Sequence, residues 1–252
     1  MDTFSSYFAA PPASAYRWDN LKQSVSPSVR THLQNVYTNL AVMLSISAAG
    51  AYLDMTRMLP VLRGGSFSLF TTFASLLAFA FTPPTPQNHI TRKYLLYAFA
   101  LSKGLSLGPL IQSTMYINPS NVFIALLSAA LLFGSFSASA LLTPRRDALY
   151  IGGLLSSAVT IMMGMSIVNL FLRNSSLFSA ELYLGLLVFA GYVIFDTQVI
   201  LAKAELGNRD YLAHSMELYV DLVAIFVRIL IILQKKEADK ERERRKKNEK
   251  RR

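Results

Sequence analysis

The sequence predicts an all-α membrane protein built from seven hydrophobic helices. Apolar runs of about 16 to 24 residues recur between His32 and Leu233, the length that a helix needs to cross a bilayer. Charged residues make up only 16% of the 252-residue chain, against about 25% in ordinary soluble domains. Short loops join the runs, which indicates one membrane domain in which neighbouring helices are adjacent and antiparallel.

Seven segments can be placed along the chain. Their approximate bounds are 33–53, 67–82, 93–111, 122–142, 148–171, 181–201 and 214–233. Pro83 and Pro84 end the second segment, because proline cannot continue a helix. Gly104 and Gly108 form a GxxxG in the third segment, a weakly specific pattern that most often reflects generic close packing of helices.

The chain divides into three regions. Residues 1–31 are expected to form a polar, flexible N-terminal lead; they lack the early apolar core of a secretory signal, so the first hydrophobic helix is expected to direct insertion. Residues 32–234 form the transmembrane domain, and residues 235–252 form a basic tail. There are no cysteines, which excludes disulfides, thiolate metal sites and cysteine nucleophiles.

The tail carries 11 Lys or Arg and five Asp or Glu residues, which is a net charge of +6 of the chain's total of +10. This charge favours a cytosolic location of the tail, where anionic lipids attract basic residues. The smaller net charge of the rest of the chain gives no reason to expect nucleic-acid binding. Apolar residues before the tail also allow a calmodulin-type partner, although a positive-inside anchor is the simpler interpretation. The residues expected to contact such a partner are Lys235, Lys236, Lys240, Arg242, Arg244, Arg245, Lys246 and Lys247.

The charges leave the number of crossings open. With seven crossings, the tail shares a side with loops that carry only Arg57, Arg63 and Arg173, whereas the opposite side carries nine Lys or Arg residues. A seventh segment that dips into the membrane and returns would place the tail and those nine residues on one side.

Two aspartates lie inside membrane-grade hydrophobic sequence, Asp196 in the sixth segment and Asp221 in the seventh. At about 100° per residue, each aspartate falls on one polar stripe of an otherwise apolar helix. The stripe of the sixth segment contains Glu181, Gly185, Tyr192, Asp196 and Lys203, and that of the seventh contains His214, Glu217, Asp221 and Arg228. Such stripes face protein or water rather than lipid, and an ionisable residue at this depth is a candidate functional residue.

Antiparallel packing would bring the two aspartates to the same depth, about 8–10 Å from one end of the hairpin. Two carboxyl groups in contact at low dielectric cannot both ionise cheaply, so they share a proton and can act as a proton sensor. The deprotonated oxygens suit a hard cation, which makes Asp196 and Asp221 a candidate transient calcium site. Proton and calcium binding would then compete, and the surrounding helices could shift between closed and open packing.

Other charges on the two stripes could support the pair. Arg228 lies two turns from Asp221 on the same face, and Lys203 lies about two turns from Asp196, so either could neutralise part of the charge. Glu217 and His214 are the other ionisable members of the seventh stripe. The alternative is structural, with each aspartate paired to a basic residue that holds the bundle together.

At these residues the chain resembles the Bax inhibitor-1 family, especially its plant-type members. Similar blocks are SAAGAYL at 47–53, GPLI at 108–111, YIGGLLSS at 150–157 and, most strongly, the whole of 181–233. Within the last block the resemblance rests on Gly191-Tyr192, Asp196-Thr197-Gln198, His214-Ser215 and FVRILII at 226–232. The opening residues and the basic tail are also similar to the plant type.

The resemblance implies a protein of the endoplasmic-reticulum membrane that suppresses programmed cell death and has seven helices, the last one central. Family members are associated with calcium leak from the store, favoured by acid, and Asp196 and Asp221 match their proposed pH sensor. Calcium would be the transported or regulatory ion, and no cofactor is implied. The implied partners are cell-death or lipid-modifying membrane proteins and, for the plant type, calmodulin bound through the region that matches 235–252.

Two residues depart from the family pattern. Lys103 stands mid-helix where plant-type relatives usually carry an acidic residue, and Asp54 replaces a His at the end of the first helix. Lys103 could alter the selectivity of a pore or pair with an aspartate. Some relatives latch the aspartate pair with an arginine, and Arg57, Arg63 and Arg92 are the candidates for that latch here.

A pH-sensitive calcium leak is the main functional hypothesis, and the alternative is a membrane adaptor that regulates cell death through protein partners without transporting ions. An intramembrane aspartyl protease would also use two membrane aspartates, but a Gly-x-Gly-Asp signature is absent around both. A retinal pigment would need a lysine within 214–233, and that segment has none. We therefore do not expect an enzyme.

Overall fold

The computed structural model describes residues 26–57, 65–142 and 148–249, and these residues form seven α-helices. The helices are α1 (Pro27–Met55), α2 (Ser66–Phe81), α3 (His89–Ile117), α4 (Ser120–Leu142), α5 (Ala148–Leu172), α6 (Ser175–Glu205) and α7 (Tyr211–Glu249). A short 3₁₀ turn, Pro86–Asn88, precedes α3, and the described residues contain no β-strand. The predicted all-α fold class is confirmed. Most of the predicted N-terminal lead lies outside the described residues.

Several helices are longer than the apolar segments predicted from the sequence, because capping residues begin them earlier. The Ser26 hydroxyl accepts a hydrogen bond from the Val29 backbone N–H at 3.3 Å, and Pro27 occupies the first turn of α1, where its missing N–H costs nothing. Asn174 caps α6 in the same way, since its Oδ1 accepts from the Ser176 N–H at 2.8 Å. Polar first turns of this kind lie outside the hydrophobic run that defines a membrane segment.

The seventh helix differs most from its predicted bounds of 214–233, because it continues through the basic tail to Glu249. At about 1.5 Å per residue, the part of α7 from Tyr211 to Leu233 spans about 35 Å, enough for the ~30 Å hydrocarbon core of a bilayer. The helix contains no break at which the chain could reverse. This geometry favours a crossing segment over one that dips into the membrane and returns.

Five of the helices, α1 and α3 to α6, are long and apolar enough to cross a membrane. With only 16 residues, α2 is a shorter apolar helix. The seventh helix is not among the five, and its membrane-depth part carries Glu217, Asp221 and Arg228. The chain is thus a multi-pass membrane protein whose last helix is its most polar.

The seventh helix is the central element of the bundle, because it packs against α1, α3, α4 and α6. Leu218, Tyr219 and Ile225 of α7 are almost completely buried; Leu218 and Ile225 share one face of the helix, and Tyr219 lies about 100° around the axis from Leu218. The other helices expose many large apolar side chains on their outer faces, as a lipid-facing surface requires. The polar helix is therefore screened from lipid by apolar ones.

The closest packing joins α1 to α3. A Cβ at Gly104 would collide with the backbone of Ser47, and a Cβ at Gly50 would meet the Leu101 carbonyl. The expectation that every consecutive pair of helices is adjacent was wrong. Within the described residues, α1 does not pack substantially against α2, and α4 does not pack substantially against α5. Small residues on α1 and α3 let their backbones approach closely, so α3 rather than α2 packs against α1.

Candidate functional site

The structure brings Asp196 and Asp221 together between α6 and α7, with their carboxyl groups in hydrogen-bonding contact. Asp221 is only 4% exposed, and its Oδ2 is buried without a hydrogen-bond donor among the described residues. Asp196 is half-buried. The pair belongs to the protein interior and does not face lipid, as the position of the two polar stripes predicted.

About one helical turn from Asp221, Glu217 of α7 faces Lys203 of α6, with 3.2 Å between Oε1 and Nζ. Glu217 also acts electrostatically on both aspartates, and its Oε2 is buried without a hydrogen-bond partner in the described residues. Lys203 interacts favourably with Asp196. Three carboxyl groups and one ammonium therefore share this part of the α6–α7 interface, and they leave an excess of negative charge.

Toward the other end of the interface, Arg228 does not reach the aspartates. Its guanidinium lies 4.2 Å from the centre of the Phe189 ring, and Nη1 donates to the Ala224 carbonyl at 3.2 Å. Only a glycine at position 185 leaves room for it, because a Cβ there would collide with Nε. Glu181 lies within electrostatic range. The predicted stripes thus face each other, but Arg228 belongs to a separate contact and does not neutralise Asp221.

His214 does not join the aspartates either. Its Nδ1 lies 2.9 Å from Nε2 of His32 on α1, and both rings are buried. The two imidazoles meet edge to face, with 5.1 Å between ring centroids. The three histidines of the chain are far apart in sequence, so this contact was not predicted.

The candidates for an arginine latch lie away from the pair. Arg92 forms an ion pair with Asp210 at 2.7 Å and stacks 4.5 Å from the Phe79 ring centre. Arg57 is exposed at the end of α1, and Arg63 lies outside the described residues. Lys103 is half-buried in α3 and makes no ion pair or side-chain hydrogen bond in the part of the chain that the structure describes. Neither Arg92, Arg57 nor Lys103 acts as a counter-ion to the aspartates.

A second polar layer, which the sequence did not reveal, joins α1 to α7. Asn39 donates to the Ser215 hydroxyl at 2.6 Å, and the Tyr97 hydroxyl donates to the Asn39 Oδ1 at 3.0 Å. Further along, the Ser47 and Tyr219 hydroxyls lie 2.5 Å apart. The only signal in the sequence is the recurrence of polar residues on one face of the first segment. These bonds fix the rotation of α7 and thereby direct Asp221 towards α6.

The described residues contain no group of three or more His, Cys, Asp or Glu side chains with the geometry to hold a metal ion. Asp196 and Asp221 alone offer at most four carboxylate oxygens, fewer than the six to eight that calcium usually takes. Any cation here would keep much of its water. The arrangement is suited to transient occupancy and to proton exchange, and not to a structural metal site.

The predicted partner-binding tail forms the exposed end of α7. All residues from 239 to 249 are exposed, and Lys240 and Arg242 make pairs within the helix, at 3.3 Å with Glu237 and at 4.0 Å with Asp239. Lys235 is the exception, because its Nζ contacts the Ser179 hydroxyl of α6. The tail is a solvated helix with basic residues on all sides.

The fold and the site define a multi-pass, all-α membrane protein with an acidic pair buried between its last two helices. A family model described as "Inhibitor of apoptosis-promoting Bax1" matches residues 29–238. Bax inhibitor 1 of Arabidopsis thaliana is 42% identical over 245 residues, 96% of this chain and 97% of that protein. The rice protein of the same name is 38% identical over 98% of this chain and 99% of its own length. Human Bax inhibitor 1 is 37% identical over 87% and 92%.

The chain belongs to the Bax inhibitor-1 family, as its sequence blocks predicted. It is a membrane protein of a family of apoptosis inhibitors. The match extends across the transmembrane bundle into the first residues of the basic tail, so the aspartate pair lies within the part of the chain that defines the family.

Proposed function

We propose that this protein suppresses programmed cell death in the endoplasmic-reticulum membrane by acting as a pH-sensitive calcium leak, with Asp196 and Asp221 as the switch. The observation that carries the proposal is the contact of two interior carboxyl groups whose shared surroundings hold more negative than positive charge. A structural ion pair would have a basic partner on each aspartate, and Asp221 has none among the described residues. The pair is therefore better suited to exchange protons or cations than to hold the bundle together.

The mechanism follows from competition for the same oxygens. Two carboxylates in a poorly solvated interior repel each other unless a proton or a cation lies between them. When protons are scarce, a divalent ion is retained at the pair and obstructs the path, because conduction requires binding weak enough for the ion to leave. When the pair is protonated, it releases the ion, and leak increases. This direction agrees with the acid-favoured leak that the family resemblance implies.

The helix contacts around the pair explain why such a change could open the bundle. Asp196 and Asp221 lie on different helices, so repulsion or cation binding between them acts directly on the α6–α7 interface. The contacts of α7 with α1 through Asn39, Ser47 and His32 would hold the central helix in place. Movement would then fall on α6 and on α5, which packs against α6.

The test is calcium flux from liposomes that contain the purified full-length chain, measured from acid to neutral pH. Asp196→Asn and Asp221→Asn keep the size of the side chain and mimic its neutral form. Each variant is expected to hold flux near the acid level at neutral pH. Glu241→Gln, which removes an exposed carboxylate of the tail, is the matched control and should retain the wild-type pH dependence.

Wild-type pH dependence in both Asn variants would remove the aspartates from the mechanism. A wild-type protein without flux at any pH would favour the alternative function, a membrane adaptor that regulates cell-death or lipid-modifying proteins. The exposed basic tail supports that alternative, because the apolar residues just before it could serve as anchors for a calmodulin-type partner. Under the adaptor hypothesis, truncation after Leu233 abolishes protection of cells, although the purified protein transports nothing.

A further inference from the structure

The α5–α6 turn and the start of the tail form a basic cleft whose contacts the aspartate mechanism does not use. One part of it, with a volume of about 790 Å³, is lined by Arg173, Lys235 and Arg242 together with the first residues of α6. A second part of about 530 Å³ continues past Lys235 to Lys236 and Lys240. We call the two together the tail cleft. Lys235 belongs to both parts.

The tail cleft is rigidly built at its base. Lys235 Nζ contacts the Ser179 hydroxyl, and Gln234 Nε2 donates to the Ser113 hydroxyl of α3 at 3.0 Å. These bonds fix the α7 backbone against α3 and α6 immediately below the cleft. The positions of the lysine and arginine side chains along α7 therefore follow from the bundle and not from a freely moving tail.

The charge of the cleft is unbalanced. Five basic residues line its two parts, against the two carboxylates of Asp239 and Glu243. Arg173 forms no side-chain hydrogen bond or ion pair with any described residue. At the opposite end of the bundle, by contrast, Arg92 is neutralised by Asp210 at 2.7 Å. The tail cleft is thus complementary to an anion.

The backbone at Arg173 gives a further indication. Its φ of 48° lies in the left-handed region, where glycine and asparagine are the usual residues at the end of a helix. In this conformation the Arg173 backbone N–H donates a hydrogen bond to the Asn169 carbonyl at 2.8 Å. An arginine at such a position costs stability, and among the described non-glycine residues only Arg57, at the end of α1, shares this conformation.

The cleft lies where lipid headgroups would be. Arg173 directly follows the candidate membrane span that ends at Leu172 and precedes the one that begins at Ser175. Phe171 is 80% exposed and Phe178 is 42% exposed beside it, so apolar side chains surround the cleft on the membrane side. Tyr183, which lines the second part of the cleft and is 61% exposed, is of the aromatic type that is enriched at membrane interfaces, where anionic lipids attract nearby cations.

We propose that the tail cleft binds the phosphate headgroup of an anionic phospholipid of the surrounding bilayer. Arg173 and Lys235 contact the phosphate from α5 and α7, and Arg242 faces the same headgroup from the next turns of α7. The acyl chains lie along Phe171 and Phe178. This site is separate from the general attraction of the basic tail to anionic membranes, because it depends on the residues that line the cleft.

The test uses the full-length protein in nanodiscs of phosphatidylcholine that contain a minor fraction of phosphatidylserine, with retained lipids counted by native mass spectrometry. The wild-type chain is expected to retain phosphatidylserine over phosphatidylcholine. The double variant Arg173→Asn, Lys235→Gln should lose about 100-fold in this preference, since each removed side chain contributes a charge-assisted hydrogen bond to the phosphate that residues outside the cleft do not make. Asparagine suits the left-handed backbone, and the bond between Gln234 and Ser113 still attaches α7 at the base of the cleft, so this variant should fold.

The matched control is Arg244→Gln, Arg245→Gln, which removes the same charge from tail residues outside both parts of the cleft. Equal losses in the cleft and control variants would show a diffuse attraction and overturn the proposal. So would a wild-type protein without a preference for phosphatidylserine. Soluble glycerophosphoserine is added as a competitor, and displacement at concentrations near that of the lipid would assign the cleft to a free phosphate compound instead.

Discussion

His32 of α1 and His214 of α7 share a buried hydrogen bond of 2.9 Å, which joins the first helix of the bundle to the last. One ring nitrogen must donate and the other accept, so one of the two imidazoles presents an unprotonated nitrogen at the contact. Neither ring is more than 4% exposed, and water cannot replace the missing partner if one ring is removed.

We predict that His32→Phe or His214→Phe lowers the free energy of unfolding by about 1–3 kcal/mol, because each leaves a buried nitrogen without its partner. The double variant should cost less than the sum of the two single changes. Unfolding in detergent followed by circular dichroism measures these differences. His89→Phe is the control, since the His89–Tyr211 contact of 3.0 Å is exposed. Strictly additive losses would show that the two rings do not depend on each other.

A second prediction concerns the close approach of α1 and α3. Gly104→Ala places a methyl group inside the backbone of Ser47, so the helices must separate, at a cost of about 1–3 kcal/mol or more. Gly153→Ala in α5 has no heavy atom within 4 Å of the new methyl group and should be neutral or slightly stabilising. Thermal unfolding of the two purified variants compares them directly. Similar melting temperatures for both would contradict the packing of α1 on α3.

The Arg92–Asp210 ion pair supplies a third prediction. It attaches the α6–α7 connection to α3, and the two side chains are only 8% and 17% exposed. Asp210→Asn leaves a buried guanidinium without its counter-ion and should destabilise the protein by about 3 kcal/mol. Arg209→Gln, which removes an exposed cation that donates to the Ser28 hydroxyl at 3.0 Å, should change stability far less. Limited proteolysis of the α6–α7 connection gives a second measurement, with faster cleavage expected only in Asp210→Asn.

A fourth prediction tests the charge beside the aspartate pair. Lys203→Met leaves the Glu217 carboxylate without its partner at 3.2 Å and removes a cation that interacts favourably with Asp196. The added negative field favours protonation of the pair, so the midpoint of the pH–flux curve should move to higher pH. Because both side chains are about a third exposed, the shift should stay below about 1 pH unit.

The control for this variant is Lys240→Met, which breaks the exposed pair of Lys240 and Glu237 at 3.3 Å in the tail. Its pH–flux curve should overlay that of the wild type. A shift of the Lys203→Met curve to lower pH would contradict the proposed arrangement of charges, and equal shifts in both variants would indicate an effect of net charge alone.

The sequence predicted the elements of the fold well, because membrane helices are defined by local apolar runs that can be counted along the chain. All seven helices lie where their segments were placed. Their ends differ because caps such as Ser26 and Asn174 are polar and lie outside the runs. The tail was expected to be solvated, and it is exposed, but no apolar periodicity in it indicated that the helix continues to Glu249.

The meeting of Asp196 with Asp221 was predictable for a related reason. Two helices joined by a short connection pack antiparallel, so a polar stripe on each is enough to place them face to face. The same argument did not reach Arg228, because distance along the stripe does not determine which way a long side chain turns. In the structure the Arg228 guanidinium packs over the Phe189 ring and next to Gly185.

By itself, the sequence determined the fold class, the number of helices and the two residues at the centre of the candidate site, since each depends on local composition or on neighbouring segments. Only the tertiary structure decided that His32 meets His214, that Arg92 pairs with Asp210, and that α1 packs on α3. Those contacts join residues far apart in the chain. Their formation depends on how each helix is rotated and which helices are neighbours, and that is settled by the packing of the whole bundle around α7.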